Sequence, residues 1–243
     1  GGYACAVNWR FSFLSYLLVL PALLLVVFFM QEPESLTKEE GAVKSPTRAA
    51  AFSFNREFWS WCALMFVFIT LFYAYITNVS AIIAENGFGT AATSAVVLSL
   101  FGLGGAIGGQ LLSKWIAKLQ KNVFIFASFV CSIGMVCVAF GGSLAALAIG
   151  SFAFGVGYGM FLPSVSLFAG MSVPPENRAF ALAVVSIFSG VATFLSAYIF
   201  ALLSSLLANT WDRFPVLASA VGYALIVLVF VVRLFVKRKA AQA

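Results

Sequence analysis

Six runs without a single Asp, Glu, Lys or Arg dominate this sequence: Phe11 to Gln31, Phe58 to Ala84, Asn86 to Ser113, Asn122 to Pro175, Ala179 to Trp211 and Phe214 to Val232. A helix rises 1.5 Å per residue, so about 20 apolar residues cross a hydrocarbon core of about 30 Å. Five of the runs fit one crossing each, with some tilt or an interfacial end. The run from Asn122 is too long for one helix, and Gly141-Gly142-Ser143 near its middle predicts a break. The expected fold is therefore all-α, a polytopic transmembrane bundle of seven spanning helices.

Composition excludes the alternatives. The chain is 63% apolar and 9% charged, whereas a soluble domain runs roughly 45–50% apolar and about 25% charged. Too few polar side chains remain to cover a water-facing surface, so a soluble enzyme is excluded. The net charge of +6 lies between the apolar runs rather than on one basic face, so nucleic acid is not an expected partner. With no histidine there is no imidazole base or imidazole metal ligand. No catalytic residue, metal site or cofactor is expected, and the lipid bilayer is the first partner.

An odd number of crossings puts the termini on opposite sides, and Lys/Arg placement orients them. With residue 1 outside, the inner side holds Lys38, Lys44, Arg48, Arg56, Lys114, Lys118, Lys121, Arg178, Arg233, Lys237, Arg238 and Lys239, leaving Arg10 and Arg213 outside. The expectation is a multi-pass protein of the inner (plasma) membrane with a cytoplasmic C-terminus. Residues 1–31 read as the small-residue end of a preceding helix, Gly1-Gly2-Tyr3-Ala4-Cys5, followed by one spanning helix. Residues 32–57 form a charged, helix-poor cytoplasmic linker. Residues 58–236 form a block of six helices with short loops, whose sequential neighbours are expected to pack antiparallel. Residues 237–243 are a cytoplasmic tail.

Several motifs carry a family resemblance. Asn8-Trp9-Arg10-Phe11-Ser12-Phe13, an apolar helix and Glu32-Pro33-Glu34 resemble the sixth helix of major facilitator superfamily transporters. Gly105-Ala106-Ile107-Gly108-Gly109 with Lys114, Lys118 and Lys121 resembles the loop after that family's eighth helix. Gly155-Val156-Gly157-Tyr158-Gly159 with Pro163, Pro175 and Arg178 resembles its tenth helix and the following loop. The stretch Ile82 to Thr93 is similar to bacterial drug-efflux-like members. The resemblance covers the whole chain. It implies the last helix of an N-terminal bundle, a linker and a complete six-helix C-terminal bundle, with the first half of the transporter as partner. Implied further are alternating access, a small-molecule substrate, efflux of amphipathic or drug-like molecules, and protons as coupling ion in an antiporter. Ala117 stands where the family loop usually has Asp, and Ala179 replaces the Gly usual after the Arg. Efflux of sugars or metabolites is an alternative. A seven-helix receptor is another, and it calls for long outer loops or a disulfide tying them.

The motifs also have direct physical readings. Gly104, Gly105, Gly108 and Gly109 form two small-xxx-small pairs, which let a neighbouring helix approach closely, either as static packing or as a sliding seam. Gly155, Gly157 and Gly159 join this helix-seam set. Pro163 and Pro21 lie inside expected helices, where each removes a backbone donor and favours a kink. Lys114, Lys118 and Lys121 repeat at helical spacing on the inner side and suit topology and anionic lipid. A gating role for them needs a carboxylate, and Ala117 removes the local one. Glu176 and Arg178 can pair with each other or with the missing half. Cys5, Cys62, Cys131 and Cys137 give no disulfide or metal framework. Asn78-Val79-Ser80 matches a glycosylation acceptor but falls within a helix.

No ionisable residue lies deep in a span, and such residues are the usual proton-relay candidates. Glu85 reads as a boundary residue at an outer helix end. A coupling carboxylate, if the protein is proton-driven, belongs to the missing half. Two stripes of neutral hydroxyls then mark a candidate substrate path: Ser186, Ser189, Thr193 and Ser196 on the sixth helix, and Thr70, Tyr73, Thr77 and Ser80 on the second. The 27 Phe residues, with Tyr73 and Tyr158, are expected to supply an apolar wall. The competing reading is that these hydroxyls bond back to their own helix or glue helices together.

Overall fold

The computed structural model describes residues 10, 16–17, 19–29, 55–207, 211 and 213–240. The expectations placed on residues 1–9, the linker at 32–54, Asp212 and the last three residues lie outside the described residues. The chain divides into two units, Gly1–Phe54 and Asn55–Ala243. In the first, α1 covers Val19–Phe29. Pro21 sits in its first turn, where a missing N–H costs nothing, so it needs no kink.

The second unit holds six long helices: α2 (Arg56–Glu85), α3 (Ala91–Leu119), α4 (Val123–Phe140), α5 (Leu144–Met171), α6 (Arg178–Leu206) and α7 (Phe214–Ala240). There is no strand among the described residues. Five stretches are long and apolar enough to cross a membrane: Arg56–Glu85, Ala91–Phe140, Leu144–Met171, Pro175–Leu206 and Phe214–Val236. The second of these runs 50 residues, more than two crossings' worth, and a 3-10 turn at Gln120–Asn122 divides it into α3 and α4. Such a set of apolar helices makes this a multi-pass membrane protein.

Local chemistry explains the boundaries. Asn55 caps α2, its side-chain oxygen accepting from the Phe58 N–H at 2.7 Å, while its amide donates to the Ser172 carbonyl at 2.9 Å. The long apolar run breaks where the sequence predicts: α4 ends before Gly141, and Ser143 caps α5 by accepting from the Ala146 N–H. The third helix is shifted from its expected limits of Asn86 and Ser113. Gly87 and Gly89 adopt φ of +65° and +156°, which delays the start to Ala91. The helix also continues past Lys114 and Lys118 to Leu119, because long basic side chains reach water while their backbone stays helical.

Inter-helix contacts fix the directions. Gly104 and Gly108 of α3 meet Phe152 and Val156 of α5 in the same order, so α3 and α5 run parallel. Gly134 of α4 meets Gly150, and Gly157 meets Ala127, so α4 and α5 run antiparallel. Rings at Trp61–Phe168, Phe68–Phe161 and Tyr75–Phe154 make α2 antiparallel to α5. Ser132 donates to the Ala220 carbonyl and Phe124 stacks on Phe230, making α4 antiparallel to α7. Trp59 meets Phe188 while Thr77 faces Ser204, so α2 and α6 are parallel. The six helices thus alternate in direction, yet sequence adjacency does not choose partners. The extensive pairings are α3 with α5, α4 with α5 and α7, and α2 with α6; α2–α3, α3–α4 and α6–α7 touch little. Among sequential neighbours α4 and α5 pack extensively and antiparallel, as expected, whereas the other extensive partners are not adjacent in sequence: a glycine face selects its partner by fit, and the short loops reverse the chain.

The alternation gathers Arg56, Lys114, Lys118, Lys121, Arg178 and Arg233 at one end of the unit and leaves Arg213 at the other. Arg213 donates to the carbonyls of Ala139 and Gly141 at 3.1 and 2.9 Å, capping the C-terminal end of α4.

Candidate functional site

The α3–α5 seam holds the scaffold. A Cβ on Gly104 would collide with the Phe152 carbonyl oxygen, and one on Gly108 with that of Val156. From the other side, Gly155 and Gly159 rest on the carbonyls of Phe101 and Gly105. Gly105 and Gly109 look less crowded, with nearest atoms at 3.7 and 3.8 Å from a built Cβ. Gly157 faces the opposite way, where a built Cβ would fall 2.6 Å from both the Ala127 carbonyl oxygen and the Cys131 Sγ of α4. Alternate glycines of the same short motif therefore serve two partners. Close approach supplies dispersion and Cα–H···O contacts where lipid supplies no hydrophobic drive. Pro163 is exposed inside α5, which continues unbroken through it. The Gly159 carbonyl it leaves without an intrahelical partner faces α3 near Gly109.

Aromatic side chains fill the space between α2 and α5. Phe68 and Phe161 stack with centroids 3.8 Å apart, and Tyr158 lies 4.6 Å from Phe72 and 5.3 Å from Phe101. Tyr223 of α7 is fully buried and donates to the Phe68 carbonyl at 3.3 Å. Part of the aromatic set expected around a substrate therefore packs in the bundle core, Phe68, Phe154 and Phe161 among it, while Phe129, Phe180, Phe194 and Phe235 are exposed. Phe repeats fit both uses, and contacts alone separate them.

A pocket of about 230 Å³ lies where α2, α6 and the start of α7 meet. It brings together Tyr73 and Thr77 of one predicted stripe and Ser196 of the other, with Asn78, Phe200, Ser204 and Pro215. The remaining stripe members lie elsewhere. Thr70 is buried and donates to the Phe66 carbonyl at 2.9 Å. Ser80 and Ser186 are exposed, and Ser186 donates to the Leu182 carbonyl. Thr193 and Ser189 are half-buried, joined by a hydrogen bond from Thr193 Oγ1 to the Ser189 carbonyl at 2.9 Å. Back-bonding takes the donors of Thr70, Ser186 and Thr193, as the competing reading requires.

Sequence reasoning missed Asn78 and Ser204. Asn78 follows Thr77 directly, and its only sequence signal is a glycosylation-type match inside a helix. Ser204 continues the sixth-helix stripe two turns beyond Ser196, and Phe200 between them hid the continuation. Thr77 donates to the Tyr73 carbonyl at 2.7 Å, Ser196 to the Thr193 carbonyl at 2.9 Å, and Asn78 Nδ2 to the Ala74 carbonyl and to Thr77 Oγ1 at 2.8 and 3.0 Å. With those donors engaged, Thr77, Ser196 and the Asn78 carbonyl present oxygen lone pairs, while the Tyr73 and Ser204 hydroxyls, which make no hydrogen bond among the described residues, add two O–H donors. No charged side chain lines it.

At the basic end, Lys114 and Lys118 are exposed, while Lys121 Nζ meets Glu57 Oε1 at 2.5 Å and sits 5.7 Å from the Trp61 ring centroid. The carboxylate missing at Ala117 comes from the start of α2 instead, a partner no local pattern could reveal. Glu176 and Arg178 are exposed and make no ion pair with each other or with any other described residue. Cys62 and Cys131 are buried free thiols, and Cys137 is a partly buried one.

The sequence profile of the Major Facilitator Superfamily matches residues 1–197 and, in a second match, residues 75–243. No curated protein matches the chain. A crystal structure of the peptide transporter POT in complex with alafosfalin is similar over 72% of this chain, at 21% identity and a TM-score of 0.46. The chain spans about a third of that structure's length, 36%.

Proposed function

The chain belongs to the major facilitator superfamily, and from that premise we propose that it is the carboxyl-terminal part of a secondary transporter exporting small amphipathic or drug-like molecules. It contributes seven crossings: α1 as the last helix of a first bundle, then the complete second bundle. The two bundles rock about a midplane site in alternating access. The basic end of the six-helix unit lies in the cytoplasm of a cell with this protein in its inner membrane, following the excess of Lys and Arg there. The family assignment displaces the receptor alternative.

One observation carries the substrate reading: hydroxyls from α2 and α6 converge on one uncharged pocket. Its neutral hydroxyls and amide both accept and donate hydrogen bonds, which suits a ligand carrying a few polar groups on an apolar body. Glu57 and Glu85 stand at opposite ends of α2, so proton coupling falls to carboxylates of the other half. A sugar or similar metabolite is the second reading, supported by a pocket of about 230 Å³, small beside common ligand sites of roughly 300–1,000 Å³.

The test is accumulation of a fluorescent lipophilic amine in inverted vesicles holding the chain with its first half, driven by an imposed proton gradient. Ala197 also lines the pocket, and accumulation blocked by Ala197→Phe, which fills it, supports export of amphipathic amines. Inhibition by sugars but not by amines selects the second reading. Accumulation unaltered by Ala197→Phe in folded protein removes the pocket from the path.

A further inference from the structure

A second groove, of about 440 Å³, runs between α2 and α7 on a side of the bundle that the hydroxyl pocket does not share. Its lining is almost wholly apolar, including Leu64, Val67 and Leu71 on α2 and Leu225 and Val229 on α7. Its one charge is Arg233, at the end where Ser60 lies on the opposite wall. Arg233 is exposed and makes no hydrogen bond or ion pair among the described residues. Val67, Leu225 and Val229 are 43%, 55% and 56% exposed, so no other helix of the second unit covers the groove.

Length and charge together identify an occupant. From Ser60 to Leu71 the α2 wall extends about 16 Å at 1.5 Å per residue. That is close to one leaflet's share, about 15 Å, of a hydrocarbon core of about 30 Å. A single acyl chain therefore reaches from the headgroup level, marked by Arg233, to the bilayer midplane at Leu71. The cation at the mouth selects the sign of the headgroup. We infer that this groove binds an anionic phospholipid of the surrounding bilayer, one acyl chain lying between α2 and α7 and its phosphate resting on Arg233. The guanidinium presents a fork of donors that matches two phosphate oxygens. Lys237, Arg238 and Lys239 follow Arg233 in sequence, which adds to the attraction for a negative surface.

The experiment is native mass spectrometry of the intact protein in detergent, titrated separately with phosphatidylglycerol and phosphatidylcholine of identical chains. Phosphatidylglycerol is expected to bind about fivefold more tightly, in line with about 1 kcal/mol for one basic residue at headgroup level. Arg233→Gln should abolish that preference, and Arg233→Lys should keep it. Val229→Trp should displace both lipids by filling the groove, whereas Phe194→Ala, on an exposed part of α6, should change nothing. Equal binding of the two lipids by the unaltered protein overturns the inference, as does a preference that survives Arg233→Gln. A photo-crosslinker at Val229 that captures a protein segment in native membranes, rather than lipid, overturns it too. The Gln and Lys variants alone decide the matter if Val229→Trp does not fold.

Discussion

Lys121 Nζ and Glu57 Oε1 meet at 2.5 Å across 64 residues of chain, joining the turn after α3 to the first turn of α2. Both side chains are about half exposed, at 51% and 48%. Water screens such a pair, so its contribution to stability is small, about 0.2–1 kcal/mol. Its position matters more than its strength, because it joins two helix ends that have little other contact.

Lys121→Ala, Glu57→Gln and the double variant should each lower the melting temperature slightly in detergent. A double-mutant cycle should return a coupling of about 1 kcal/mol or less, shrinking in high salt. A coupling well above that, unaffected by salt, means that the pair is shielded in the complete protein.

Substitutions along the glycine seam should divide sharply. Gly104→Val and Gly159→Val force a β-carbon into a carbonyl oxygen and should destabilise by at least about 1–3 kcal/mol, the usual range for overpacking. Gly102→Ala meets open space and should be neutral or slightly stabilising, since alanine favours helix by about 1 kcal/mol. Thermal unfolding followed by size-exclusion chromatography measures both. Equal tolerance at all three positions would show that α3 and α5 do not pack as described.

Arg213→Ala removes two hydrogen bonds that cap α4. The expected loss is about 1–3 kcal/mol, and Arg213→Lys should recover only part of it, since the guanidinium reaches two carbonyls at once. Hydrogen exchange at Val138 to Gly141 should quicken in the alanine variant while the rest of the bundle keeps its protection.

For the hydroxyl pocket, Ser196→Ala and Thr77→Val each remove one oxygen. Either should change ligand affinity by about tenfold at most, the equivalent of about 0.5–1.5 kcal/mol. Asn78→Leu should cost more, since it loses the amide carbonyl and the bond to Thr77 together. Ser80→Ala and Ser186→Ala lie off the pocket and serve as controls. Transport rates at matched expression in vesicles decide among these, and a control that behaves like Asn78→Leu would remove the pocket from consideration.

An impermeant maleimide applied to intact cells should label a cysteine placed at Glu85 but not one at Lys118 or Arg178. Labelling at Lys118 from outside would invert the orientation.

Charge-free run lengths made the helices of the second unit legible, because the bilayer sets a length that few other environments demand. The Gly141-Gly142-Ser143 break was equally readable, since glycine and a serine cap act locally. Partner choice was not. Gly104 and Gly155 can be seen as helix-contact residues, but nothing in either run names the other. The hydroxyl stripes had the same ambiguity: Thr193 and Ser196 repeat on one face, yet only Ser196 reaches the pocket. Glu57 showed the limit most clearly, since it finds Lys121 through the fold and not through spacing.

The parallel pairing of α3 with α5 has a consequence for biogenesis. The ribosome finishes Gly104 well before Gly159, about fifty residues apart, and synthesis proceeds at about 5–20 residues per second. For several seconds α3 stands in the bilayer with its glycine face turned to acyl chains and no partner to receive it. Its backbone hydrogen bonds are already complete within the helix, so the wait is harmless, and the bundle closes when α5 arrives. A defect in α5 would therefore appear first as an unclaimed α3, open to quality-control proteases although its own sequence is intact.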